Sequence, residues 1–212
     1  VYAPCVLSGP IQKLAAAYEA SHPEVEVSPQ TDKPLGALSL VRATPQGPAV
    51  VFTMGEVEMH YLVQAGAVDP AQVRSIAPNT FPLAVVGPTQ AKQPLLTLGD
   101  LARAHRIYLE DPSQSTLGAK AQQAFQGLRL WDKIAPHIIH PNPEAMILGE
   151  LVAGKADAAV VFKNCLFAEG SAGGSPPRTI RIIAELPRKL YSLIQFQAAP
   201  LKVAPQPEVA RG

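Results

Sequence analysis

The amino-acid sequence predicts an α/β fold with mostly parallel sheets. Three observations carry that expectation. Short β-branched runs alternate with helical patterns along most of the 212 residues. Hydrophobic residues make up 47% and charged residues 17%, which suits a packed core and not a disordered chain. The 22 prolines fall mostly between the periodic segments, where they stiffen the connections.

The chain opens on VYAPCVLSGP, which reads as a short strand over 1–3, a turn, and a helix with Gly9 as N-cap and Pro10 in the first helical position. Residues 12–20 follow a helical pattern with Leu14, Ala15 and Tyr18 on one face, and 25–28 alternate as a strand does. The run AVVFT (49–53) has the continuous apolar character of a strand buried on both faces. Over 56–66 the stripe of Met59, Leu62 and Val63 predicts a helix closed by Gly66. Strands are expected at 83–87 and 106–110, with the short helix TLGDLARA between them. A loop then leads into a helix by residue 128, and 143–162 reads as helix, glycine turn and strand. Two late strands follow, at 179–186 and 191–199.

Two stretches look like breaks, NTFPLAVVG (79–87) and FAEGSAGGSPP (167–177). They divide the chain into a first lobe (1–82), a second lobe (83–166) and a return to the first lobe (167–212). The closing PEVARG reads as the start of a helix, so truncation at this end is expected.

A net charge of +1 leaves no basic excess for a nucleic-acid face, and no apolar run is long enough to span a bilayer. The apolar opening segment is what a mature exported chain presents. No paired acid/base carboxylates, phosphate loop or dinucleotide fingerprint occurs, and a nucleophilic Cys5 has no histidine close by unless His60 reaches it. The sequence therefore points away from catalysis, and no cofactor is expected.

The order of segments LTLGDLA, RIYLEDPSQSTLGAKAQQAF, LWDKIAPHII and LGELVAGKADAAVVF, preceded by LAAAYEA, LGAL and GPAVVFTMGEVEMHYL, resembles the periplasmic molybdate/tungstate-binding proteins of ABC importers. The resemblance covers most of the chain and implies a two-lobed, hinge-closing periplasmic-binding-protein fold. It also implies a small oxyanion held in an interlobe cleft and an ABC permease as partner, with a monomer expected. In α/β folds ligands sit beyond the carboxyl ends of the strands, where helix N-termini offer backbone N–H groups.

Several positions depart from the family pattern. The serine of the family's first loop falls on Val6, beside Cys5, and that of its second loop falls near Leu35 and Gly36. An aspartate of the third strand becomes Val50, and a tyrosine becomes Phe162. The DPSQST loop keeps hydroxyls at Ser113, Ser115 and Thr116, while Lys33 and Lys163 could neutralise an anionic ligand. Two other ligand classes follow from the departures. One is a small organic anion; the other is a soft metal ion such as Cu(I) at Cys5, Met54 and Cys165. Cys5 and Cys165 stay open to three readings: a disulfide, two buried thiols, or ligand contacts. A non-transporting sensor or structural relative is the remaining class.

Overall fold

The computed structural model describes residues 1–32, 49–141, 147–168 and 179–202. The chain forms two compact units, Val1–Asn79 with Ile194–Gly212, and Thr80–Leu193. Each contains a five-stranded sheet.

In the first unit β1 (Tyr2–Pro4) runs through a 3-10 turn at Cys5–Leu7 into α1 (Ser8–Ser21). Then come β2 (Gln30–Asp32), β3 (Val50–Thr53), α2 (Glu56–Gln64) and β4 (Arg74–Asn79). The returning chain adds β10 (Ile194–Pro200). The sheet order is β2-β1-β3-β10-β4, with β1 parallel to both neighbours and β10 antiparallel to both of its own. Its core gathers Tyr2, Val51, Met59, Leu62, Val68 and Leu201.

The second unit holds β5 (Leu83–Pro88), β6 (Ile107–Tyr108), α3 (Thr116–Gly127), α4 (Trp131–Ile134) and β7 (Ile138–Ile139). It continues with α5 (Ile147–Val152), β8 (Ala158–Phe162), α6 (Cys165–Ala168) and β9 (Ile180–Glu185). Its order is β7-β6-β8-β5-β9, with β6 parallel to β7 and β8, and β5 antiparallel to β8 and β9. Here the core includes Val86, Tyr108, Leu151, Val161 and Leu166.

The sheets are therefore mixed where mostly parallel ones were expected. The reversed strand in each, β10 or β5, is the one that begins a segment newly arrived from the other unit. It lies beside strands that local parallel crossovers connect, and alternation of apolar residues carries no signal for its direction. The expected return at residue 167 also moves. β9 pairs with β5 inside the second unit, so the chain goes back only after Leu193.

Local corrections have simple causes. α1 starts at Ser8, so Gly9 and Pro10 lie inside its first turn instead of capping it. It buries Ile11 and Ala15, one turn apart, and leaves Leu14 58% exposed. Residues 25–28 pair in no ladder. The Val27 N–H donates to Glu19 Oε1 (2.7 Å), and strand pairing starts at Gln30. β3 buries Val51 and Thr53 while Val50 and Phe52 stay half-exposed, so only one face is fully covered. The helix at α2 follows the expected stripe, with Met59 and Leu62 buried and Val63 packed against the same core. Gly66 follows it at φ 75°, a left-handed turn that suits glycine after a helix.

Candidate functional site

The expected ligand contacts fall on turns that follow strands, and the turns differ in construction. After β1, Val6 is half-buried and Leu7 is buried; the N-cap of α1 is Leu7, which makes no side-chain capping bond. Cys5 lies in this turn, with its side chain outside the described residues. Lys33, Leu35 and Gly36 also lie outside them. After β3, the Thr53 hydroxyl donates to the Gly55 carbonyl (2.8 Å), and Met54 is fully buried.

The turn after β6 is the most elaborate. Asp111 carries an Asx-type arrangement: its Oδ1 accepts the Ser113 N–H (2.8 Å) and the Ser113 hydroxyl (2.7 Å). These bonds hold its carboxyl below the ordinary carboxylate range, with a smaller contribution from His140. The Ser115 N–H and the Gln114 N–H both donate to the Asp111 carbonyl, rounding the turn into α3. Ser115 is the N-cap: its hydroxyl oxygen accepts the Gly118 N–H (3.3 Å) and its hydrogen goes to the Glu110 carboxyl. Ser115 and Thr116 are fully buried, whereas Ser113 is exposed.

Gly118 explains its own identity. A Cβ there would stand 2.2 Å from the Glu110 carbonyl oxygen, so α3 can approach the end of β6 this closely only with glycine. Part of Glu110 remains exposed, yet its carboxyl is turned in against Ser115. Burial pushes this carboxyl up, opposed by the bond from Ser115. Further along α3 the buried Lys120 donates to the Ser192 hydroxyl (2.7 Å), and Gln123 Oε1 accepts the Ser192 N–H (3.1 Å). The segment leaving the second unit is thereby tied to this helix.

After β8, Phe162 is buried, and Lys163 pairs with Glu185 instead of standing as an uncommitted cation. Cys165 is half-buried at the start of α6. Among the described residues no group of three or more His, Cys, Asp and Glu side chains is placed to hold a metal ion.

The structure thus brings Ser113, Ser115 and Thr116 together on one turn. It places Met54 and Lys163 on others and Phe162 at the end of β8. The pattern of 106–110 predicts strand throughout, which leaves Glu110 unremarked, whereas β6 ends at Tyr108. The available signal was a Glu-Asp pair at a strand end, five residues before a capping serine.

No helix among the described residues is long and apolar enough to cross a membrane. YvgL of Bacillus subtilis (strain 168), which bears the name of an ABC transporter substrate-binding lipoprotein, is 24% identical over 154 residues. That match takes in 73% of this chain and 58% of the relative, less than two thirds of its length. The periplasmic molybdate-binding protein of Azotobacter vinelandii superposes with a TM-score of 0.64 at 18% identity, covering 99% of this chain and 87% of the other. PEB3, the Campylobacter jejuni protein, in its L-phospholactate-bound form gives a TM-score of 0.66 at 11% identity, over 98% and 89%. At these identities the likeness concerns the fold, which is that of the periplasmic binding proteins. Residues 1–212 match throughout, and the chain belongs to the bacterial extracellular solute-binding protein family, proteins that work outside the cytoplasm.

Proposed function

We propose that the chain captures a small anion and delivers it to an ABC permease, without catalysis of its own. The observation that carries this reading is the Ser115-capped opening of α3. A twelve-residue helix begins there, with its positive dipole end and the N–H groups of its first turn beyond the carboxyl end of β6. Two structural neighbours support it: one is named as a molybdate-binding protein and the other is described with L-phospholactate bound, and both ligands are anions. In this proposal Ser113, Ser115 and Thr116 work with that turn, and Cys5, Val6, Lys33, Leu35, Gly36, Met54, Phe162 and Lys163 are the further candidate contacts. The departures at Val6, Leu35 and Phe162 favour an anion other than molybdate or tungstate, one that leans on backbone donors.

The test is a thermal-shift panel on chelator-treated, reduced protein with molybdate, tungstate, sulfate, phosphate, phosphorylated carboxylates, Cu(I) and Zn(II). A ligand at a hundred times its dissociation constant adds about 2.7 kcal/mol of stability. The expected result is a shift with at least one anion. A shift with Cu(I) alone would replace the reading with the soft-metal one through Cys5, Met54 and Cys165. Silence across the panel would favour a non-transporting relative.

A further inference from the structure

The turn proposed to receive an anion already contains a carboxyl. Glu110 is fixed there from two sides. Its side chain accepts the Ser115 hydroxyl, and its main-chain oxygen fills the space that a Gly118 side chain would need. Ser115 in turn accepts the Gly118 N–H, so the carboxyl cannot swing away without giving up its bond to the residue that caps α3. Among the described residues, the other titratable and charged groups on the elements packed here have partners of their own. Asp111, on the same turn, accepts from Ser113. His140, beyond β7, donates through Nδ1 to the Leu109 carbonyl (2.8 Å). Lys120, on α3, donates to Ser192. Tyr108, on β6, shares a hydrogen bond with Glu150, which pairs with Lys155. Among the described residues, burial and the Ser115 bond act on Glu110, and no described cation is set against it.

We propose that Glu110 makes ligand capture proton-linked: the anion at the opening of α3 is bound together with a proton, taken from solvent onto the Glu110 carboxyl. The inference rests on the anion reading above. An ionised Glu110 and a bound anion would be like charges on one short turn, each disfavouring the other. Protonation removes the Glu110 share of the repulsion, beside an Asp111 that stays ionised, and leaves the Ser115 cap in place. By linkage, affinity is highest in acid and falls as pH rises through the titration of Glu110 in the free protein. Burial acts to raise that titration from its ordinary value, against the bond from Ser115.

The experiment is calorimetric titration of the full chain with sulfate and with molybdate between about pH 5 and about pH 8, in buffers of different ionisation enthalpy. Sulfate keeps one charge state across this range, so uptake seen with it belongs to the protein. The wild type is expected to take up close to one proton per anion on the alkaline side. There its affinity falls by up to about tenfold per pH unit. Glu110→Gln is expected to bind with no proton uptake and to overtake the wild type at the alkaline end. Binding by the wild type with no uptake and a flat pH profile overturns the proton link and leaves the anion reading standing. Failure of sulfate, of molybdate and of every other anion in the thermal-shift panel, at every pH, overturns the anion reading and the link with it. If Glu110→Gln does not fold, carbon NMR titration of the wild-type Glu110 carboxyl supplies the check. Its midpoint must rise when sulfate is added, and an unmoved midpoint with sulfate bound overturns the proposal.

Discussion

The two units share one strand plan and differ in the turn after its first parallel strand. In the first, β1 enters α1 through a 3-10 turn of Cys5–Leu7, with no acid in the first helical turn and no side-chain cap. In the second, β6 enters α3 through residues 109–115, with Asp111 closing the loop, Ser115 capping the helix and Glu110 behind the cap. The glycines differ in the same way. Gly9 has nothing within 4 Å of its missing side chain, whereas Gly118 lies against backbone. One plan therefore supports an apolar, loosely specified turn and a polar, tightly specified one. Strand order is set by the sheet, but the chemistry of a turn is set by four or five residues that the sheet does not constrain.

The largest expected effect comes from exchanging the glycine roles. Gly118→Ala puts a methyl group where the Glu110 carbonyl oxygen lies and should cost about 3 kcal/mol in urea unfolding. Gly9→Ala should be neutral or stabilise by about 0.5 kcal/mol. Equal losses at both sites would erase the contrast between the turns. Next comes Ser115→Ala, which removes a helix cap and the Glu110 partner together, at about 2 kcal/mol.

Smaller effects separate the two carboxylates by sign. The Glu110 carboxyl is pushed up from 4.5, so its stabilising contribution is complete below that value and is lost as pH rises through the raised one. Glu110→Gln should therefore stabilise the protein at neutral and alkaline pH and do little in acid, as read from unfolding midpoints across pH. Asp111 is held below 3.8, so its contribution is present above that value and is lost as pH falls through the lowered one. Asp111→Asn should cost less than about 1 kcal/mol at neutral pH, since the group is largely solvated, and nothing in strong acid. Parallel pH profiles for the two variants would contradict the assignment of one carboxyl to burial and the other to hydrogen bonding.

Much of the fold was legible because local signals and packing agree. The Met59/Leu62 stripe and Gly66 define α2 from end to end, and D-P-x-x-x-x-x-G locates the turn at 111–118. Legibility failed where partners are remote. Leu14 fits a helical face as well as Ile11 does, and only the position of the sheet selects Ile11 and Ala15. The reversed strands β5 and β10 carry ordinary apolar runs, and their direction depends on where the chain crosses between units. At the site, the serines of the DPSQST loop were visible by type, and Ser115 could be read as a cap. Glu110 was hidden because its pairing with Ser115 needs a turn whose closure depends on Gly118.

The placement of β10 also governs the order in which the protein can be completed. The second unit uses only contiguous chain, so its sheet can close as soon as β9 has been made. The first sheet cannot, because β10 belongs between β3 and β4 and is synthesised after every other described strand. Until then β3 and β4 each present a raw hydrogen-bonding edge, the kind of surface that invites pairing with another chain. The half of the molecule made first is thus the half finished last, and a ribosome that stalls before Ile194 releases a finished second unit joined to an open first one.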